Sequence, residues 1–297
     1  MNKIVQKVAV AAPVCAVFLL FFVLPVALML SASFERIDTL TLEVVERFTF
    51  AQYFKFLTDS FYLRILLNTL WISAGTTLVS LLVGYPVALH MSRLEGLSRQ
   101  IILIIVLSPL LISHAVLNFG WLIVLNSNGL VNSTLRSAGL IQTPLPLLHT
   151  ALAVILGLVH SHLPFIVLPI ENALRSVRPE VSRAAVSLGA NSFRLFRYVT
   201  LPLSIKGIVT GSVIVFSLSA SSFVIPVVLG GVRVRTMASV AFEEVMLNLN
   251  APFAAAVSLL LLAMTTIAVA ALGWIGRKLQ PPALVQQAAK PASEGAA

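Results

Sequence analysis

The sequence predicts an all-α polytopic membrane protein with six transmembrane helices, and three observations carry that prediction. Of 297 residues, 58% are hydrophobic and only 10% charged, with a mean hydropathy of +0.98, outside the range of soluble domains. Six runs lack Asp, Glu, Lys and Arg altogether: Val8–Phe34, Ile65–Ser92, Gln100–Leu135, Ser137–Ile170, Gly207–Val232 and Val245–Gly276. Each exceeds the roughly 20 residues that cross a bilayer as a helix. The runs are apolar all round and do not alternate, which excludes barrel strands. In hydrocarbon every backbone N–H and C=O needs a partner within the segment, and a helix supplies it.

Within these runs the spans are placed at about 8–31, 66–91, 101–125, 146–170, 206–229 and 252–275. Lys3 and Lys7 precede the first, and Ser31-Ala32-Ser33 would suit a signal peptidase. Signal h-regions run only about 7–15 residues, so an uncleaved anchor is expected. Cys15 is the sole cysteine and is expected to pack in that span. Pro86, Pro109, Pro164, Pro169 and Pro226 are expected to kink or break their helices. Residues 1–279 read as one transmembrane domain, and 280–297, rich in Ala, Pro and Gln, as a disordered tail.

Alternate loops set the orientation. The N-terminus, the 92–100 turn, the 171–206 segment and the tail together hold 13 Lys/Arg and 4 Asp/Glu, whereas the opposite side holds 7 of each. By the positive-inside rule the first side is cytoplasmic, with both termini. The net +9 therefore follows from topology, and no compact basic domain exists to bind nucleic acid.

Two connections are long: about 34 residues outside, between the first two spans, and the cytoplasmic loop 171–205. In that loop Pro179 suits a first helical turn, Val181, Ala184, Ala185 and Leu188 recur at i, i+3, i+4 and i+7, and Gly189 suits the position past a helix end. A second short helix is expected from an Asn191 or Ser192 cap, with Phe193 and Phe196 on one side, stopping at Leu201-Pro202. Such a basic amphipathic knob would lie on anionic lipid or insert an apolar ridge into a partner's groove. Small Ala184 and Ala185 favour close packing on protein.

The string Arg183-Ala184-Ala185, then Gly189 after three residues, then Val199-Thr200-Leu201-Pro202 after nine more resembles the EAA loop of binding-protein-dependent ABC importer permeases. Family members usually carry Glu at the position of Arg183 and Ile at that of Val199. Asn68-Thr69-Leu70, Gly84-Tyr85-Pro86-Val87-Ala88, Ser108-Pro109-Leu110, Asn128-Gly129-Leu130-Val131-Asn132 and Ser222-Phe223-Val224-Ile225-Pro226 extend the likeness over nearly the whole chain. It looks most like the spermidine/putrescine-type permeases. The resemblance implies a type I ABC importer permease fold in a bacterial inner membrane, and a small solute, with a polyamine-like cation favoured. It implies an ATP-binding subunit dimer docked on 171–205, a second permease subunit as heterodimer partner, and an extracytoplasmic solute-binding protein.

On that reading the ATPase-coupling residues are Arg183, Ala184, Ala185, Leu188, Gly189, Phe193, Val199, Leu201 and Pro202. Substrate-pathway candidates are the polar groups at membrane depth, Asn68, Asn118, Ser161, Ser219 and Ser222, with Glu243 and Glu244 in the last outer loop. The bland readings are small hydroxyls that let helices approach and a solvated acidic surface pair. His160 and His162 stand two apart, so on a helix they diverge and make a poor metal pair. No G-x-x-x-x-G-K-[ST] occurs, so no cofactor is expected here, with ATP and Mg belonging to the partner ATPase. The alternative is an ion-coupled secondary transporter, disfavoured by charge-free runs without a carboxylate. A membrane enzyme lacks a nucleophile-base or metal constellation.

Overall fold

The computed structural model describes residues 17, 19–38 and 43–279. These form α1 (Leu19–Ser33), α2 (Ala51–Thr58), α3 (Ser60–Ser92), α4 (Gly96–Leu111), α5 (His114–Leu125), α6 (Leu130–Ser137), α7 (Ala151–Arg175), α8 (Pro179–Ser187), α9 (Ser192–Ser221), α10 (Met237–Met246) and α11 (Ala251–Leu279). Two compact units result, Met1–Leu66 with Met237–Ala263, and Leu67–Thr236 with Met264–Ala297.

Four helices, α3, α7, α9 and α11, are each long and apolar enough to cross a membrane, and a broken pair makes up to five. α1 is a shorter apolar helix. The start of the expected first span, Cys15 and the tail 280–297 lie outside the described residues.

Helix boundaries follow capping chemistry more closely than hydropathy. The expected third span, 101–125, is instead two helices, with Gly96–Leu111 and His114–Ser137 bent by 98°. Pro109 cannot donate to the Ile105 carbonyl, and Ser108 Oγ donates to that carbonyl at 2.8 Å. Ile112 then turns extended, and Ser113 Oγ accepts the Ala115 N–H at 3.3 Å to start α5. Similarly, α7 begins five residues after the expected 146, because Thr150 Oγ1 accepts the Ala153 N–H at 3.3 Å. Asp59 and Asn250 cap α3 and α11 through Phe61 N–H and Phe253 N–H. The fifth expected span, 206–229, ends early at Ser221. Pro226 would clash with the Ser222 carbonyl if the helix ran through, and the chain resumes as a separate wide turn over Pro226–Gly230.

The larger unit is built on α7. Two apolar clusters flank it, one around Ile72, Val154, Leu158 and Leu229, the other around Met91, Ile166, Ile170 and Val215. Between them Thr76 and Ser80 of α3 are fully buried. Small residues bring the partners close. A Cβ on Gly84 of α3 would meet Ile166 Cγ2 at 2.5 Å, and on α9 one on Gly207 would meet the Pro169 carbonyl oxygen at 2.4 Å. At Gly211 it would sit 3.1 Å from Ile166 Cα. Gly207-x-x-x-Gly211 is thus a small-residue face packed on the backbone of α7.

The long connection after α1 is not structureless in the other unit. Arg36–Ile37 (β1) pairs antiparallel with Val44–Glu46 (β2), and Phe34, Phe48, Phe50 and Tyr53 stack beside them with centroids 5.2–6.5 Å apart. Phe56, Tyr62 and Phe253 form its buried centre, with Lys55 Nζ 4.2 Å from the Phe253 ring centroid.

Replacing Gly207 with Val should force α9 off α7, destabilising the fold by about 1–3 kcal/mol as overpacking does. Gly120→Ala, inside α5 with nothing within 4 Å of the new methyl, should cost nothing and raise stability by up to about 1 kcal/mol. Thermal unfolding of the two purified variants makes the comparison.

Candidate coupling site

The 171–205 loop folds as its residues dictate. Pro179 opens α8 and Glu180 stands in its first turn. Gly189 adopts φ +83°. The Gly189 N–H donates to the Val186 carbonyl at 2.9 Å and the Ala190 N–H to the Ala185 carbonyl at 3.1 Å, the paired bonds of a Schellman motif. Asn191 Oδ1 accepts the Arg194 N–H at 2.8 Å and starts the next helix.

That second helix does not stop at Leu201-Pro202 as expected. It passes through a π-type turn at Phe196–Thr200, where the Leu201 N–H reaches the Phe196 carbonyl, and continues unbroken to Ser221. Pro202 has no N–H for the Tyr198 carbonyl, so the regular ladder is interrupted next to this turn. Leu201 and Pro202 are half-buried within α9.

Of the expected face, Val181 and Ala185 turn inward while Arg183, Ala184 and Leu188 face solvent. Leu188 is 90% exposed and Phe193 72%. Val186 and Tyr198 join them, and Val199 is half-buried beneath. An apolar ridge this open in a loop marks an interaction surface. Its foot is anchored on α3, where the Tyr85 ring meets Phe196 edge-on at 5.8 Å and Tyr85 Oη lies 3.1 Å from Ser204 Oγ.

Sequence reasoning missed the ionic clasp above the loop. Glu171 is wholly buried near the end of α7; its Oε1 accepts Arg99 Nε of α4 at 2.7 Å and lies 3.9 Å from Arg175 Nη1. Arg175 Nη1 also donates to the Leu94 carbonyl at 3.2 Å. One carboxylate therefore ties α7, α4 and the turn between α3 and α4. The signal was the Glu171/Arg175 i,i+4 pair, although Arg99 lies 72 residues away. The Gly207/Gly211 spacing was readable and was overlooked.

The polar candidates part company. Asn68 Nδ2 donates to the Arg235 carbonyl at 2.7 Å, a structural tie. Ser219 is buried with its Oγ 3.2 Å from His162 Nδ1, Ser161 is also buried, and buried Asn118 leaves its Nδ2 without a hydrogen bond. Ser222 is the half-buried cap of α9. Trp121 Nε1 donates to His160 Nδ1 at 3.1 Å, so the two histidines serve different partners. Glu243 and Glu244 lie on α10 in the other unit, where Glu244 is buried, contrary to a solvated pair. Asn132 of the Asn-Gly-Leu-Val-Asn string is a buried staple bonded to Asn126 and to both backbone groups of Leu145.

Residues 77–281 match the binding-protein-dependent transport system inner membrane components. The chain is 33% identical over 262 residues to the spermidine/putrescine transport system permease protein PotB of Haemophilus influenzae, covering 87% of this chain and 89% of that one. It is 30% identical over 243 residues to PotB of Escherichia coli, covering 82% and 87%. Among solved structures, a chain of a bacterial alginate ABC transporter in complex with its periplasmic protein superposes with TM-score 0.73 at 19% identity, covering 92% and 94%. The inward-facing MetNI methionine transporter gives 0.55 at 20%, covering 75% and 100%. This chain belongs to the binding-protein-dependent transport system inner membrane components, and it is a permease subunit of an ABC importer.

Glu171→Gln should weaken the clasp without emptying the site, lowering stability by about 1–2 kcal/mol, since a neutral amide still accepts one bond from Arg99. Glu171→Ala should cost more, because it leaves two guanidinium groups without their carboxylate. Denaturation midpoints of the two variants against the parent check the order.

Proposed function

We infer that this subunit imports a polyamine-like organic cation delivered by an extracytoplasmic binding protein, and that a separate ATPase dimer drives it through the 171–205 loop. The observation carrying this reading is the exposed ridge of Leu188, Phe193 and Tyr198 on helices continuous with, or directly joined to, the spans. Burying Leu188 and Phe193 in an ATPase groove would contribute roughly 1.5–3 kcal/mol each.

α9 is helical from Ser192 to Ser221 and packs on α7 through glycines, so displacement of the loop moves both helices as one body. Gly189 gives α8 its fixed angle to α9, and Arg183 faces the docking surface. In this reading residues 1–279 act as the permease domain with six spans and both termini in the cytoplasm. ATP and Mg sit on the partner, and a second, non-identical permease completes the pathway. Asn118, Ser161, Ser219 and Ser222 contribute polar groups to that pathway, Asn68 braces its wall, and Glu243 and Glu244 attract the cationic solute. Support for the substrate class comes from the two PotB relatives, whose names specify spermidine and putrescine.

Leu188→Asp and Phe193→Asp should each abolish co-purification of the ATPase subunit and lower spermidine uptake at least tenfold, while membrane insertion persists. A charged side chain in an apolar groove costs several kcal/mol. Retained complex and uptake in both variants would sink the docking assignment. Gly189→Val forces a β-branched residue to positive φ, a strain of about 1–2 kcal/mol. It should reduce uptake per ATP hydrolysed more than it reduces hydrolysis itself, measured on the reconstituted transporter.

A further inference from the structure

At the base of the coupling loop, a cavity of about 570 Å³ opens between the end of α3, the end of α7, α8 and the start of α9. The residues that line it include Arg93, Arg183, Ser182 and Ser192. Both arginines are exposed, neither forms an ion pair among the described residues, and no carboxylate lines the cavity. Arg178, in sequence between the lining residues Val177 and Pro179, has an Nε that is buried without a hydrogen bond. The floor is apolar: Leu89, Leu174, Val177 and Phe196.

We propose that this cavity is a binding site for the phosphate ester of an anionic phospholipid, held between Arg93 and Arg183. Two guanidinium groups offer planar, charge-assisted donors to phosphate oxygens. Ser182 and Ser192 can complete the donor set, and no acidic side chain lines the cavity to repel the anion. A free phosphate ion would gain nothing from the apolar floor, whereas the glycerol and first acyl carbons of a lipid would cover it. The cavity also lies at the ends of the long apolar helices α3 and α7, and basic pockets between transmembrane helices take anionic headgroups. Arg183 is decisive, because a carboxylate in its place would make the lining mixed in sign. Lipid bound there would wedge between the spans and α8, making the coupling angle sensitive to membrane composition.

Placement in the cytoplasmic leaflet rests on the orientation inferred above. Binding itself does not, because a nanodisc exposes both leaflets; protease accessibility of 171–205 in sealed vesicles reads orientation alone. The test uses the complete transporter in nanodiscs of mixed phosphatidylglycerol and phosphatidylcholine, extracted into mild detergent and examined by native mass spectrometry. Phosphatidylglycerol should be retained in preference to phosphatidylcholine. Retention should fall about tenfold in Arg183→Gln and in Arg93→Gln, the loss of one charge-assisted contact, and persist in Arg183→Lys. Equal retention in the parent and both Gln variants would overturn the site. Complete displacement by millimolar inorganic phosphate would overturn the lipid as its source.

Discussion

Close approach of α9 to the backbone of α7 is the constraint on which the larger unit depends. In a bilayer, apolar side chains gain little by leaving lipid for each other, so helices must associate through dense packing. Gly207 and Gly211 remove the atoms that would hold the two backbones apart. Everything attached to α9, including the loop helices at one end and the Pro226–Gly230 turn at the other, takes its position from that contact.

The Glu171 clasp holds α7 to different neighbours, α4 and the turn between α3 and α4. A buried carboxylate costs several kcal/mol to desolvate, an expense that holds only while Arg99 remains in place. It gains geometry in return: α7, from which α8 springs after Ser176-Val177-Arg178, is fixed to α4 at one height. α8 is thereby attached to a braced corner of three helix ends.

Much of this was legible from residues alone. Composition and charge-free runs identified the long apolar helices, and Gly189 and Asn191 marked the loop's internal ends because left-handed φ and N-capping are local demands. Family membership came from the spacing of Ala184, Gly189 and Leu201. Hydropathy misplaced helix ends at Ser113, Thr150 and Ser222, where caps and prolines decide within runs that are uniformly apolar. The Glu171–Arg99 bond was hidden because its partners are distant in sequence and each resembled an ordinary loop charge. Among the pathway candidates, residue type alone could not distinguish Asn68, spent on a backbone carbonyl, from Asn118, whose amide is buried without a bond.

The wide turn at Phe196–Thr200 has a rotational consequence. A π-type turn inserts one residue into the helical count, an offset of about 100° between the side-chain rows on either side. The faces of Phe193 and of Gly207 are therefore set by this single turn: it aims the ridge outward while the glycines remain on α7. Tightening it to ordinary α geometry would twist one face against the other without any change in helix length. In the proposed mechanism the loop would deliver torsion to α9 as well as a push.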